Sequence, residues 1–174
     1  NPSGNTITVD KDTAKNGSQF INNGRIDITN KGTLTNDGTL TNIGSLDNEG
    51  WLNNAGTLTN SRSLNNDNGS TLTNGAGGTL TNASGGTLTN NGSLDNSGKL
   101  TNGGTLANES GGRLTFLAGS TFDNTGGTLT NSGTIESHID DYFQTLSSGA
   151  GGTVQFKSGS NFVNQAKIIN AEGK

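Results

Sequence analysis

Leucine recurs every sixth residue at Leu34, Leu40, Leu46, Leu52, Leu58 and Leu64, flanked on both sides by polar residues, mostly threonine or serine. An asparagine stands two positions after each of these leucines, and a glycine opens most units: Gly32, Gly38, Gly44, Gly50 and Gly56. So short a self-similar period predicts a stacked repeat architecture. Six residues are too few for a helix and its return, but they suit one short strand and one corner. Side chains alternate across an extended strand, so T-L-T-N sends Leu and Asn to one face and the two Thr to the other. The N-x-G that follows predicts a corner in which Asn and Gly take up left-handed backbone. One unit cannot bury its own leucine. Stacked coils can, and each buried Leu then contributes roughly 1.5–3 kcal/mol.

The later spacings set the shape of the coil. After Leu64 the apolar positions fall at Leu72, Leu80 and Leu88, then at Leu94, Leu100 and Leu106, then at Leu114, Phe122 and Leu129. The step lengthens, returns to six and lengthens again in blocks of three. Three strands per coil produce that rhythm, with all the corners of some coils enlarged. The added residues are Gly-rich (GAGG at 75–78, ASGG at 83–86, ESGG at 109–112, TGG at 125–127), as corners require. The expected fold is all-β: a single-domain, right- or left-handed parallel β-solenoid. It has a triangular section of about 18–24 residues per coil and strands about 4.8 Å apart; a flattened two-strand coil is the rival. The asparagines are kept more strictly than a leucine core needs: Asn36, Asn42, Asn48, Asn54, Asn60, Asn66, Asn74, Asn82, Asn90, Asn96, Asn102 and Asn108. Stacked identical asparagines can chain their amides from coil to coil. A buried amide left unpaired is costly, so the column is expected to be continuous, besides serving as turn chemistry. Phe116, where Asn is expected, and Phe122, at a Leu position, predict a locally wider, dry core.

The chain divides into four stretches. Residues 1–16 lie outside the hexad, and the alternation around Ile7 and Val9 predicts a first strand or cap. Residues 17–135 carry the repeat. Residues 136–148 interrupt it with ESHIDDYFQTLSS, which holds His138, the pair Asp140 and Asp141, and Tyr142. That excursion reads either as a functional loop or as a cover in which Ile139, Tyr142 and Phe143 seal the core. Residues 149–174 resume the pattern with Val154, Phe162 and Ile168 and end without an obvious polar cap, which predicts that a final coil can meet another molecule's first.

With 29 glycines among 174 residues, 26% hydrophobic and 14% charged, a non-repetitive chain would be expected to be disordered. A narrow solenoid core needs few apolar residues per coil, so the periodicity prevails. A net charge of −4 with no basic stripe makes nucleic acid an unsuited partner. There is no cysteine, hence no disulfide brace or thiolate metal site. No transmembrane run or signal peptide is seen. The start at Asn1 without a methionine is read as that of a mature, processed or excised segment.

Catalysis finds little support. The single His138 has no cysteine to partner it, no serine lies in GxSxG, and no metal-ligand or cofactor pattern stands out from the glycine background. Asp47 and Glu49 in one corner, and Asp140 with Asp141, are the paired carboxylates available; no enzyme, cofactor or metal is expected. Sorting the strands in threes gives one face with a nearly uniform threonine array: Thr39, Thr41, Thr57, Thr59, Thr79, Thr81 and Thr101, with Lys99 as its exception. Two parallel Thr columns are similar to the T-x-T surface of threonine-rich antifreeze solenoids, which implies ice as a ligand; β propensity alone also accounts for exposed Thr. Trp51 is a lone outward aromatic, and Trp51 and Tyr142 are the candidate contacts to a glycan or partner.

GTLTNDGTLTNIGSLDNEG, NNGSLDNSGKLTNGG and NSGTI resemble repeat regions of bacterial secreted β-helical proteins, the passenger and stalk segments of autotransporter-like and filamentous-haemagglutinin-like adhesins. The resemblance covers about residues 17–135 and, weakly, 150–170. It implies export, a parallel β-helix, and a rigid extracellular rod in adhesion, sheath or matrix. The expected function is therefore structural, with self-association end to end or laterally. Ice binding and glycan binding are the alternatives.

Overall fold

The computed structural model describes residues 1–10 and 13–137, together with the backbone of the short strands Leu146–Ser147, Thr153–Phe156 and Asn161–Asn164. Each T-L-T-N unit is one four-residue strand, because a leucine flanked by two hydroxyl side chains suits a half-buried pleat. Three strands make one coil and each pairs in parallel with the equivalent strand of the next, giving two eight-stranded sheets and one seven-stranded sheet of described strands. Face I stacks Arg25–Ile28, Ser45–Asn48, Ser63–Asn66, Thr87–Asn90 and Thr105–Asn108; face II stacks Thr33–Asn36, Trp51–Asn54, Thr71–Asn74, Ser93–Asn96 and Arg113–Phe116; face III stacks Thr39–Asn42, Thr57–Asn60, Thr79–Asn82 and Lys99–Asn102. The coil has three sides, not two. Its length breathes between 18 and 24 residues as corners enlarge. Below these, Thr6–Val9, Thr13–Asn16 and Gln19–Asn22 pair into faces I, II and III, so the stretch before the hexads already contributes strands to the solenoid.

Register keeps like on like: Leu34, Leu52, Leu72 and Leu94 are direct partners on face II, and Leu40, Leu58, Leu80 and Leu100 on face III. All twelve repeat leucines from Leu34 to Leu106 are buried, and they form one continuous core. Three leucines per coil, each contributing roughly 1.5–3 kcal/mol, are what a 20-residue coil of mostly polar residues has to hold it shut.

The asparagines are equally buried, and they form three columns, one at each corner. On face III the amide chain runs Asn22, Asn42, Asn60, Asn82, Asn102, Asn124. On face II it runs Asn16, Asn36, Asn54, Asn74, Asn96, and on face I Asn48, Asn66, Asn90, Asn108, Asn131. Each Nδ2 donates to the Oδ1 above at 2.7–2.8 Å. It also donates to a backbone carbonyl across the corner, as Asn36 does to Thr57 at 2.9 Å. The amide therefore ties two coils together and closes the corner in one move.

The repeat glycines are placed by a different cause from the one expected. Positive φ occurs at Gly69, Gly77, Gly85, Gly111, Gly119 and Gly126 in the enlarged corners, and at Gly4, but at none of the glycines opening the hexads. Those are excluded from bearing a side chain by the coil below. A Cβ on Gly56 would lie 2.1 Å from the Gly38 carbonyl oxygen, and one on Gly44 2.0 Å from that of Gly24. Arg62 stands at such a place, and the Ser63 N–H reaches the Gly44 carbonyl there at 3.3 Å, against 2.9 Å for Ser45 to Gly24 one coil earlier.

Higher up, Phe116 takes the Asn place and its ring lies 5.1 Å from Phe122, tilted by 38°. The face II amide chain stops there. Asn96 turns to the Gly98 and Thr121 carbonyls at 3.2 and 3.3 Å. Ser120 is left without the acceptor that its counterpart Ser70 finds in Asn66 Oδ1 at 2.8 Å.

Candidate binding faces

The pleat that turns Leu and Asn inward turns the flanking residues out, and register sorts them into columns. On face III, Thr39, Thr57 and Thr79 are direct partners in one column, and Thr41, Thr59, Thr81 and Thr101 in the other. All are half-buried or exposed. The array is bounded by Gln19 and Ile21 below, and by Lys99, Thr121 and Asp123 above. Two columns about 6.6 Å apart along the strand, with coils stepping by about 4.8 Å, give a flat hydroxyl and methyl lattice.

Trp51 belongs to a different side. It opens a face II strand between Thr33 and Thr71 and remains 48% exposed. It borders a groove of about 880 Å³ along the edge between faces I and II, lined by Asn30, Glu49, Trp51, Asp67, Asn68, Gly69, Asn91, Ser110 and Gly111. The groove follows from corner lengths along this edge. Four-residue corners at 29–32, 67–70 and 109–112 alternate with two-residue corners at 49–50 and 91–92. The long corners stand out, the short ones recede, and the side chains of five successive coils line the hollow between. Sequence reasoning found the corner insertions and Trp51, but not Glu49, Asp67 or the asparagines as its neighbours. The signal was the alternation at one edge, visible only once every third corner is read together.

Asp47 and Glu49 do not share a corner. Asp47 lies on the strand Ser45–Asn48 and faces outward, where Arg25 approaches it at 3.2 Å, Asn65 Nδ2 donates to it at 2.6 Å and the Ser45 hydroxyl at 3.0 Å. The strand ends at Asn48 and Glu49 lies in the corner beyond it, so of the two carboxylates only Glu49 reaches the groove. The Arg25 guanidinium is held above its ordinary pKa by its hydrogen bond to Asp27, then by the charges of Asp27 and Asp47. Arg113 is raised by its hydrogen bond to Glu136, and Lys15 by its bond to Asp37. The Thr125 hydroxyl and backbone N–H, donating at 2.6 and 2.9 Å, hold the Asp123 carboxyl below the usual carboxylate range. Lys15–Asp37, Arg25–Asp47 and Arg113–Glu136 tie neighbouring coils at the surface, while Arg25–Asp27 and Asp123–Thr125 stay within one coil. Among the described residues no three His, Cys, Asp or Glu side chains gather as metal ligands. Tyr142, His138, Asp140 and Asp141 lie outside the described residues.

No protein-family model matches this chain, and no curated protein does. A solved structure that does match is a TibC-catalysed, hyper-glycosylated fragment of TibA, residues 55–350. It is 18% identical, the match covers 97% of this chain and 74% of that one, and the TM-score is 0.30. A likeness of that size bears on neither partner nor activity, and the β-solenoid stands on the strand pairing given above.

Proposed function

We propose that this chain is a non-catalytic structural module, a rigid β-solenoid rod of the kind that forms extracellular stalks and surface fibres. The observation that carries the reading is the coil-to-coil continuity of the core. Leucine lies on leucine and amide on amide, so the cross-section repeats and the object extends by adding coils. Nearly every buried polar group on the way is spent on that cohesion. A rod of this build resists bending because each coil is fixed to its neighbours by three sheets at once.

The first coil also supports end-to-end association. Among the described residues its strands Thr6–Val9 and Thr13–Asn16 pair on one side only, Asn1 meets the outer edge of Gln19–Asn22 through the Ile21 carbonyl and the Asn23 N–H, and Ile7, Val9, Ala14 and Phe20 border an apolar hollow of about 150 Å³ at the core's end. Unpaired strand edges over an apolar end invite a further coil of the same pattern. Export and display at a surface rest on the sequence resemblance. Negative-stain microscopy over rising protein concentration tests the reading. Rods that lengthen are expected; dispersed particles of one length under all conditions overturn the assembling version.

A second reading, ice binding, is favoured by the register of the face III threonines, which keeps two columns aligned over successive coils. Thermal hysteresis that falls in the double variant Thr59→Tyr, Thr81→Tyr supports it; its absence in the wild type ends it.

A further inference from the structure

The groove beside Trp51 is unlike the rest of the surface. Elsewhere the outward positions lie on the sheets: hydroxyl side chains on most of face III, and hydroxyls mixed with charged and amide groups on faces I and II. Here three enlarged corners wall a hollow that spans five coils, about 19 Å at the usual strand spacing. The only tryptophan in the sequence lies at its side with about half its surface open, in a column whose neighbours are Thr33 and Thr71. A large aromatic in a threonine column adds nothing to the Leu core beneath. Around it are the amides of Asn30, Asn68 and Asn91 and the carboxylates of Glu49 and Asp67. Neither carboxylate is in an ion pair among the described residues.

We propose that this groove binds a neutral oligosaccharide, with the Trp51 indole as the stacking platform for one sugar ring. The apolar C–H face of a pyranose covers an exposed indole, and the hydroxyls around its rim need donors and acceptors together. Amides supply both and carboxylates supply acceptors, so the lining fits a polyhydroxyl ligand. A basic peptide is the competing ligand, since carboxylates beside a tryptophan also suit a cation. The lining favours the saccharide, because the neutral polar side chains of Asn30, Asn68, Asn91 and Ser110 outnumber the two carboxylates. The groove is long and open-ended, which suits a chain of sugars over a single one. This site does not depend on the rod forming filaments, and it lies on a different side from the threonine array.

As the sole tryptophan, Trp51 makes intrinsic fluorescence of the full chain a direct readout of the groove. The chain is screened on a glycan array and then titrated with cellohexaose, maltohexaose and chitohexaose, and with hexalysine as the cationic probe. Saturable change in emission with a neutral oligosaccharide is expected. Trp51→Thr puts the column's own residue in place, so the fold is kept; calorimetry on that variant is expected to show binding weakened at least about tenfold. Asp67→Asn keeps hydrogen-bonding capacity while removing charge, and is expected to retain saccharide binding within about threefold. The proposal is overturned if hexalysine alone moves the emission and Asp67→Asn abolishes that response. It is equally overturned if glycan binding is unchanged in Trp51→Thr, or if no glycan is retained on the array and the emission stays still.

Discussion

Asn60 shows how much one residue carries in a solenoid this thin. Its amide receives Asn42 Nδ2 at 2.8 Å and donates to Asn82 Oδ1 at 2.8 Å and to the Thr87 carbonyl at 2.9 Å. Asn60→Ala strands buried partners in three coils, and an unsatisfied buried group costs about 1–3 kcal/mol. A loss of about 2–4 kcal/mol is expected, against under about 1 kcal/mol for Thr59→Ala next to it; the shift of the urea midpoint measures both. Glycine gives the complementary case. Gly56→Ala drives a Cβ into the Gly38 carbonyl, so overpacking by about 1–3 kcal/mol is expected. Gly77→Ala meets open space and loses only the ease of a positive φ, about 1 kcal/mol, and Gly77→Asn less. Both glycines read alike as corner residues. What separates them is the neighbouring coil, about 20 residues away in the chain, which no local pattern displays. Charge works only at the surface, since every buried polar residue described is Asn, Ser or Thr. Asp123, one of these surface groups, is worth titrating. Its folded pKa lies below the ordinary value, so the stability it lends is present above the unfolded pKa near 3.8 and lost as pH falls through the folded one. A melting temperature that is level near neutrality and declines below about pH 4, less so in Asp123→Asn, is the expected profile.

At the level of strands and corners, the period fixes almost everything. The six-residue spacing dictates strand length, and the blocks of three dictate three faces, so the columns of the threonine array could be written down before any contact was known. The Phe pair shows where pattern reading stops. The aromatic spacing indicates a wider core around Phe116 and Phe122, but not that the amide column would end there, with Ser120 losing its acceptor. Phe116→Asn alone removes a buried ring and opens a void beside Phe122; Phe122→Leu alone loses the ring contact. Together they restore the Asn and Leu of the coil below, Asn96 and Leu100. The double variant is therefore expected to be more stable than the sum of the single costs by at least about 1 kcal/mol, read from a double-mutant cycle in thermal unfolding. The groove beside Trp51 was the least legible part. It depends on which corners are long along one edge, a relation among residues 29–112 that is diluted when the chain is read in order.

For the molecule as a whole, the end-to-end association proposed above rests on the first coil. Ala14 faces the core beside its partner Leu34, from a strand paired on one side only among the described residues, so Ala14→Asp places a charge where a further coil would seat. Sedimentation of the wild type is expected to quicken with concentration and that of Ala14→Asp to stay constant. The amide chains add a condition to any such joint. Asn36 gives its hydrogen to Asn54 and Asn54 to Asn74, and the other two columns run the same way, so all three point away from the first coil, the face II one as far as Asn96. Within the columns each coil therefore offers amide acceptors on its lower side and amide donors on its upper side. A joint that continues these columns sets an upper side on a lower one, because two lower sides would bring acceptor to acceptor. Growth through these columns can only be head to tail, as in a heterologous contact that never closes, and a labelled seed should elongate at unequal speeds from its two tips.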